Sequence, residues 1–169
     1  MLRFVPMNIS HLSKLGSEDF QSLALLDGKL VEKYGHSFSD EAWNADNFTY
    51  ELPGKYALSR VLYLNDQLVG YCIASEKSGG IYIHRFAVAQ VAQGLAGKFF
   101  KKVMQGFDRP VYLMVNTQNR VAIAFYKGFG FETVDNSDTI RRFIAADLKI
   151  NNNEIIITKD YRCYLLKKD

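Results

Sequence analysis

The sequence is poor in cysteine and histidine, holds no long apolar run and has no tract of biased composition, and each absence removes a class of function. Only 2 cysteines and 3 histidines occur in 169 residues. Cys72 and Cys163 each sit inside an apolar stretch (Tyr71-Cys72-Ile73 and Arg162-Cys163-Tyr164), so two packed thiols are expected rather than a disulfide framework or a zinc knuckle. His11, His36 and His84 lack the short spacing of ligands on one element, and no metal is expected. No run approaches the roughly 20 apolar residues of a membrane span. Met1 to Asn8 lack the charged-then-apolar order of a signal peptide, so a cytoplasmic protein is expected, with no membrane partner.

What is present suits a globular chain. Charged residues make up 23% and are mixed in sign along the chain, and 48% of residues are hydrophobic, enough for the core of one domain; residues 1–169 are expected to fold as a single unit. The formal net charge of +3 is too small to point to nucleic acid, which is not expected as a partner.

Periodicity divides the chain into elements. Leu2 to Val5 reads as a short strand. Ser17, with Glu18 and Asp19 behind it, reads as a capped helix start and Gly35 as the helix end. Phe20, Leu23, Ala24, Leu30, Val31 and Tyr34 recur between them at helical spacing. Ser39 to Asn47 reads as a second short helix. After Pro53-Gly54, Val61 to Leu64 and Leu68 to Ala74 flank the polar Asn65-Asp66-Gln67 as a hairpin, and Ser78-Gly79-Gly80 turns into Ile81 to Val88. The pattern then becomes strand, helix, strand: Ile81 to Val88, Leu95 to Gln105, Val111 to Asn116, the form of a right-handed parallel crossover. Lys98, Lys101 and Lys102 crowd the polar face of its helix. A helix from about Gln118 to Lys127, a strand around Phe131 to Val134 and a last strand from about Tyr161 to Leu166 follow. The class is α/β with a mixed sheet; residues 136–160 stay partly unassigned.

Two segments carry chemistry. In the first, Arg85-Phe86-Ala87-Val88-Ala89-Gln90-Val91-Ala92-Gln93-Gly94-Leu95-Ala96-Gly97-Lys98, an apolar strand runs through a glycine-bearing loop into a helix. Small residues at 94, 96 and 97 let a ligand approach the main chain, and the helix N-terminus favours a phosphate; the same turn also serves as a plain tight connection. In the second, Asn116-Thr117-Gln118-Asn119-Arg120-Val121-Ala122-Ile123-Ala124-Phe125-Tyr126-Lys127-Gly128-Phe129 has the order Asn, two residues, Asn, then Ala, Phe-Tyr and Gly-Phe.

Together, in this order and separation, the segments resemble the GNAT (GCN5-related) N-acetyltransferase superfamily over roughly residues 58 to 135. The sequence departs from the family pattern at Val91, where Gln or Arg commonly stands, and has Ala96 where Gly is usual. The resemblance implies a GNAT fold: a mixed, mostly antiparallel sheet whose central parallel strands splay apart, with helices on both faces. It implies acetyl-CoA as co-substrate, its pantetheine on the strand edge at Phe86, Ala87 and Val88, and its pyrophosphate on the backbone of Gln93, Gly94, Leu95, Ala96, Gly97 and Lys98. It further implies that Asn119 contacts the pantetheine arm and that Tyr126 protonates the departing thiolate.

A phenol with a pKa near about 10 is protonated at neutral pH and suited to that donation, although a partly buried tyrosine also packs its ring with no such role. An attacking amine must lose a proton, and the base is open. Tyr82 falls where some family members place a glutamate, His84 follows it on the same strand face and titrates close to neutrality when unperturbed, and Glu76 is a further candidate. Trp43, Phe48 and Tyr50 lie where the family shapes its acceptor pocket. The implied reaction is direct attack of a primary amine, of a small molecule or peptide, on the thioester in a ternary complex, by a monomer or homodimer. The alternatives are a CoA-binding regulatory module without turnover and an acetyltransferase acting on an aminoacyl-tRNA.

Overall fold

Turn chemistry organises the first half of the sheet. Strands β2 (Arg60–Leu64) and β3 (Gln67–Lys77) are joined by Asn65 and Asp66, both left-handed at φ 47° and 60°, a two-residue turn whose twist matches that of the strands it links. The computed structural model describes residues 7–35, 38–39, 41–77, 79–89, 94–116, 119–134 and 161–166. The strand expected at Leu2 to Val5 and the segment 136–160 lie outside them. A strand β1 (Met7–His11), not expected from the sequence, pairs antiparallel with β2 from Met7↔Leu64 to His11↔Arg60.

Strand β4 (Gly80–Val88) returns antiparallel to β3, helix α4 (Leu95–Gln105) crosses over, and β5 (Val111–Asn116) runs parallel to β4. After helix α5 (Arg120–Gly128) come β6 (Glu132–Val134) and β7 (Tyr161–Leu166), with β7 antiparallel between β5 and β6. The sheet order is β1-β2-β3-β4-β5-β7-β6. Before the sheet's main run stand a 3-10 turn (Leu12–Lys14) and three helices: α1 (Ser17–Tyr34), α2 (Ala45–Thr49) and α3 (Lys55–Leu58).

Two local expectations are corrected. The residue capping α1 is Gly16, not Ser17; Asp19 in the first turn reaches back to accept the Gly16 N–H at 2.9 Å. The second helix begins at Ala45 because Asn44 and Asn47 cap it reciprocally, each side chain accepting the other's backbone N–H at 2.9 Å, and residues 41–43 just before the cap are irregular.

The sheet separates two apolar cores, so helices cover both faces. On one, Phe99, Phe100 and Val103 of α4 and Tyr126 of α5 meet Leu62, Ala74, Ile81 and Leu113. On the other, Phe20, Leu23 and Leu30 of α1 and Phe48 of α2 meet Val61, Tyr71, Ile73 and Ala87.

The centre of the sheet is irregular in two ways. Strands β4 and β5 pair only at Ile81↔Val111, Tyr82↔Tyr112 and Ile83↔Leu113, so from His84 onward β4 is bonded on one side only. Its register with β3 passes from Ala74↔Ile83 to Ile73↔Arg85, leaving His84 opposite nothing. Such a bulge bends the strand and breaks the two-residue alternation. Ile81, Ile83, Phe86 and Val88 therefore face α4, while Arg85 and Ala87 face α1.

Candidate active site

Where β4 and β5 part, a cleft of about 520 Å³ opens between β4, α1 and α5. Phe86, Ala87 and Val88 form its floor, Ala96 one end, and Asn119 and Tyr126 the α5 wall. Residues taken from two separate motifs are thus brought to one hollow. A larger hollow of about 820 Å³ between α1 and the β2–β3 turn is lined by none of the catalytic or cofactor-binding residues expected from sequence.

Gly94 caps α4 in the left-handed conformation, φ 84° and ψ −1°, which an L-residue adopts only at a cost; a Cβ there would meet nothing within 4 Å, so the backbone and not space selects glycine. It turns the chain so that the amides of Leu95, Ala96 and Gly97 open the helix, where no intrahelical carbonyl is in reach. Lys98 differs from the expectation for the other three: its N–H already donates to the Gly94 carbonyl at 3.0 Å, leaving its exposed ammonium as its available donor group. The Leu95 side chain is buried in the core. Gln93 and Val91 lie outside the described residues.

Asn119 is the N-cap of α5 rather than a residue of its first turn, and its side-chain oxygen accepts the Ala122 N–H at 3.1 Å. Tyr126 is 8% exposed, with its ring among Phe100, Phe125 and Phe131 at centroid distances of 5.6, 5.4 and 5.6 Å. Burial, with the nearby Cys72 as a smaller cause, raises its pKa above the ordinary tyrosine range, so the phenol keeps its proton.

Tyr82 and His84 do not line the cleft. They lie earlier on β4, their rings edge to face at 4.6 Å, with Tyr112 5.1 Å and the Lys77 ammonium 4.8 Å from the Tyr82 ring. His84 Nε2 is 2.6 Å from Ser75 Oγ. Burial, then Lys77 and Lys55, push the His84 pKa down to about 4, so the expectation of titration close to neutrality is corrected: the ring is neutral at pH 7. Lys55 is itself buried, its ammonium donating to the carbonyls of Asn47 at 3.0 Å and Tyr50 at 2.6 Å, and burial lowers it to about 8. Glu76 pairs with Arg109 at 3.1 Å. Of the aromatics expected to shape an acceptor pocket, Phe48 is 0% exposed and belongs to the core, while Tyr50 is 67% exposed.

A family model for the acetyltransferase (GNAT) domain matches residues 19–146, well over half of the chain. The chain belongs to the GNAT acetyltransferase family. No curated protein matches it in sequence. Solved structures share the GNAT fold over nearly the whole chain. Arabidopsis thaliana Naa50, in complex with the bisubstrate analogue CoA-Ac-MVNAL, is 20% identical with a TM-score of 0.62, the alignment covering 96% of this chain and 99% of that one. The diaminobutyrate acetyltransferase EctA from Paenibacillus lautus, in complex with L-2,4-diaminobutyric acid and coenzyme A, is 10% identical with a TM-score of 0.65, covering 98% and 99%. The putative acetyltransferase yncA from Salmonella typhimurium, with its cofactor acetyl-CoA, is 15% identical with a TM-score of 0.63, covering 96% and 94%.

Sequence reasoning missed part of this GNAT cleft. Leu30, Tyr34 and Phe38 form its third wall, and they belong to α1 and the chain just after it, outside both motifs. It also missed Asp27, a fully buried acid whose signal was available: it falls three residues before Leu30 and four after Leu23, on the apolar stripe of α1. Among the described residues no group of three or more His, Cys, Asp or Glu side chains is placed to hold a metal, and no helix is long and apolar enough to cross a membrane.

Proposed function

We propose that this chain transfers the acetyl group of acetyl-CoA to a primary amine by direct attack in a ternary complex. The observation that carries the reading is the convergence, in the gap left by β4 and β5, of the β4 edge at Phe86–Val88, of Ala96 at the α4 N-terminus, and of Asn119 and Tyr126. Each supplies what the reaction asks for. The β4 edge past Ile83 offers main-chain groups not bonded to β5, suited to the amides of a pantetheine arm. The amides of Leu95, Ala96 and Gly97 face the same end of the cleft with the positive end of the helix dipole, suited to a pyrophosphate. Tyr126 holds a proton at the cleft wall for the departing thiolate, and a backbone amide of β4 polarises the thioester carbonyl.

Deprotonation of the amine falls to solvent in the cleft, because Tyr82 and His84 do not line it and His84, with a pKa of about 4, is too weak a base to hold the proton at pH 7. Acceptors of small-molecule or peptide type suit a cleft of this size, and a cytoplasmic setting suits a CoA ester. The experiment is calorimetric titration with acetyl-CoA and CoA, followed by thiol release across a panel of diamines, amino acids and short peptides. Micromolar binding with amine-dependent release is expected; folded protein that binds neither ligand would sink the reading.

A further inference from the structure

One enclosed polar cluster stands outside the transfer chemistry. Asp27 on α1 has a fully buried side chain and that of Arg85 on β4 is 9% exposed. Their contact is two-pronged, Nε to Oδ1 at 2.7 Å and Nη2 to Oδ2 at 2.8 Å. Arg85 also donates from Nη1 to Ser39 Oγ and from Nη2 to the Glu41 carbonyl, both at 3.0 Å. Its guanidinium carbon lies 4.6 Å from the Phe38 ring centroid and 4.9 Å from that of Trp43. Asp27 accepts the Trp43 N–H at 2.7 Å and the Tyr71 hydroxyl as well.

A buried ion pair loses much of its attraction to desolvation, so its value lies in what it fixes. Here it fixes chain that has neither helix nor strand to hold it: Phe38, Ser39, Glu41 and Trp43 are all tied to the one guanidinium or its carboxylate, and Phe38 lines the cleft opposite α5. The bulge at His84 makes this possible. With unbroken alternation from Ile83, residue 85 would point into the α4 core instead of at α1.

We infer that Asp27 and Arg85 are a positioning pair for acceptor recognition: by tying down Ser39, Glu41 and Trp43 they fix Phe38, the member of this segment that lines the cleft, and the amine substrate is placed against it. The inference rests on the N-acetyltransferase reading. A planar fork that meets a carboxylate, a hydroxyl and a carbonyl while stacking on two rings has no substitute in lysine. The groups suited to CoA are main-chain ones, at Phe86–Val88 and at the α4 N-terminus, whereas Arg85 reaches this segment through its side chain, so disturbing the segment affects the acceptor before the co-substrate.

Trp43 is the chain's single tryptophan, and its fluorescence reports the tied segment without any ligand. The variants are Arg85→Lys, Asp27→Asn and the milder Ser39→Ala, which removes only the hydroxyl between Arg85 Nη1 and the Glu41 carbonyl. In the first two, Trp43 emission is expected to move to the red with severalfold greater acrylamide quenching, and Ser39→Ala to change in the same direction by less. With the panel amine giving fastest thiol release, KM for the amine is expected to rise roughly tenfold, while kcat and the Kd for CoA stay within about twofold. Unchanged Trp43 fluorescence overturns the inference, as does an Arg85→Lys variant with wild-type amine KM. A parallel loss of CoA affinity overturns it too, because that is general loosening. Should wild-type protein bind no CoA and release no thiol, the transferase reading falls and the acceptor role with it; the quenching result then still tells whether the pair holds this segment. If Asp27→Asn fails to fold, the other two variants decide.

Discussion

At the scale of single residues, protons are placed by burial more than by residue type. Tyr126 and His84 are both held in their neutral forms, the first as a phenol that keeps its proton, the second as a ring unable to keep one at pH 7. Tyr126→Phe keeps the ring among Phe100, Phe125 and Phe131 and removes only the hydroxyl; kcat for amine acetylation should fall by roughly 10²-fold with CoA affinity unchanged, checked by steady-state kinetics beside titration calorimetry. The histidine leaves a mark on stability. Unfolded, it takes up a proton near 6.5, and folded, near 4, so between these values the unfolded chain binds more protons and stability falls as pH is lowered through the window. Urea midpoints at pH 7 and pH 4.5 should therefore differ more in the wild type than in His84→Gln, which lacks the titrating ring.

At the scale of elements, the helix ends at the cleft owe their form to a few backbone devices. Asn119→Ala removes the α5 cap and should cost about 1 kcal/mol in chemical unfolding, the side-chain bond to Ala122 N–H being lost at an otherwise unsatisfied amide. Gly94→Ala meets no steric obstacle but forces a Cβ into the left-handed region, at about 1–2 kcal/mol, and re-aims the first turn of α4. Weaker CoA binding by calorimetry, beyond what the stability loss explains, is the expected signature. Helices and strands with strong periodicity were legible: Leu95–Gln105, Val111–Asn116 and Tyr161–Leu166 fall where the pattern puts them. α2 did not, because reciprocal Asn44–Asn47 capping outweighed the weaker pattern before it. β1 did not either, because a short edge strand gains its order from β2 rather than from its own residues.

At the scale of the whole molecule, the sheet divides two cores and the cleft opens where its central pair separates, so a ligand in the cleft bridges elements from both sides. Such a ligand stabilises the fold by mass action. CoA at a hundred times its Kd should add about 2.7 kcal/mol and raise Tm by about 5–10 °C in a chain of this size. Differential scanning fluorimetry checks this, and Gly94→Ala should show a smaller rise at equal CoA concentration.

The sequence by itself determined the family, the sheet's mixed topology and the two motifs, because these are written in local periodicity and in residues close together along the chain. Only the tertiary structure decided that the two motifs share one cleft, that Tyr82 and His84 stand outside it, and that His84 is neutral, since a pKa is set by neighbours from β3 and α3 that no spacing along β4 announces. It also decided the place of Arg85. One residue inserted at a bulge reverses which face every later side chain of β4 takes, and the register that creates it exists only once β3 lies alongside.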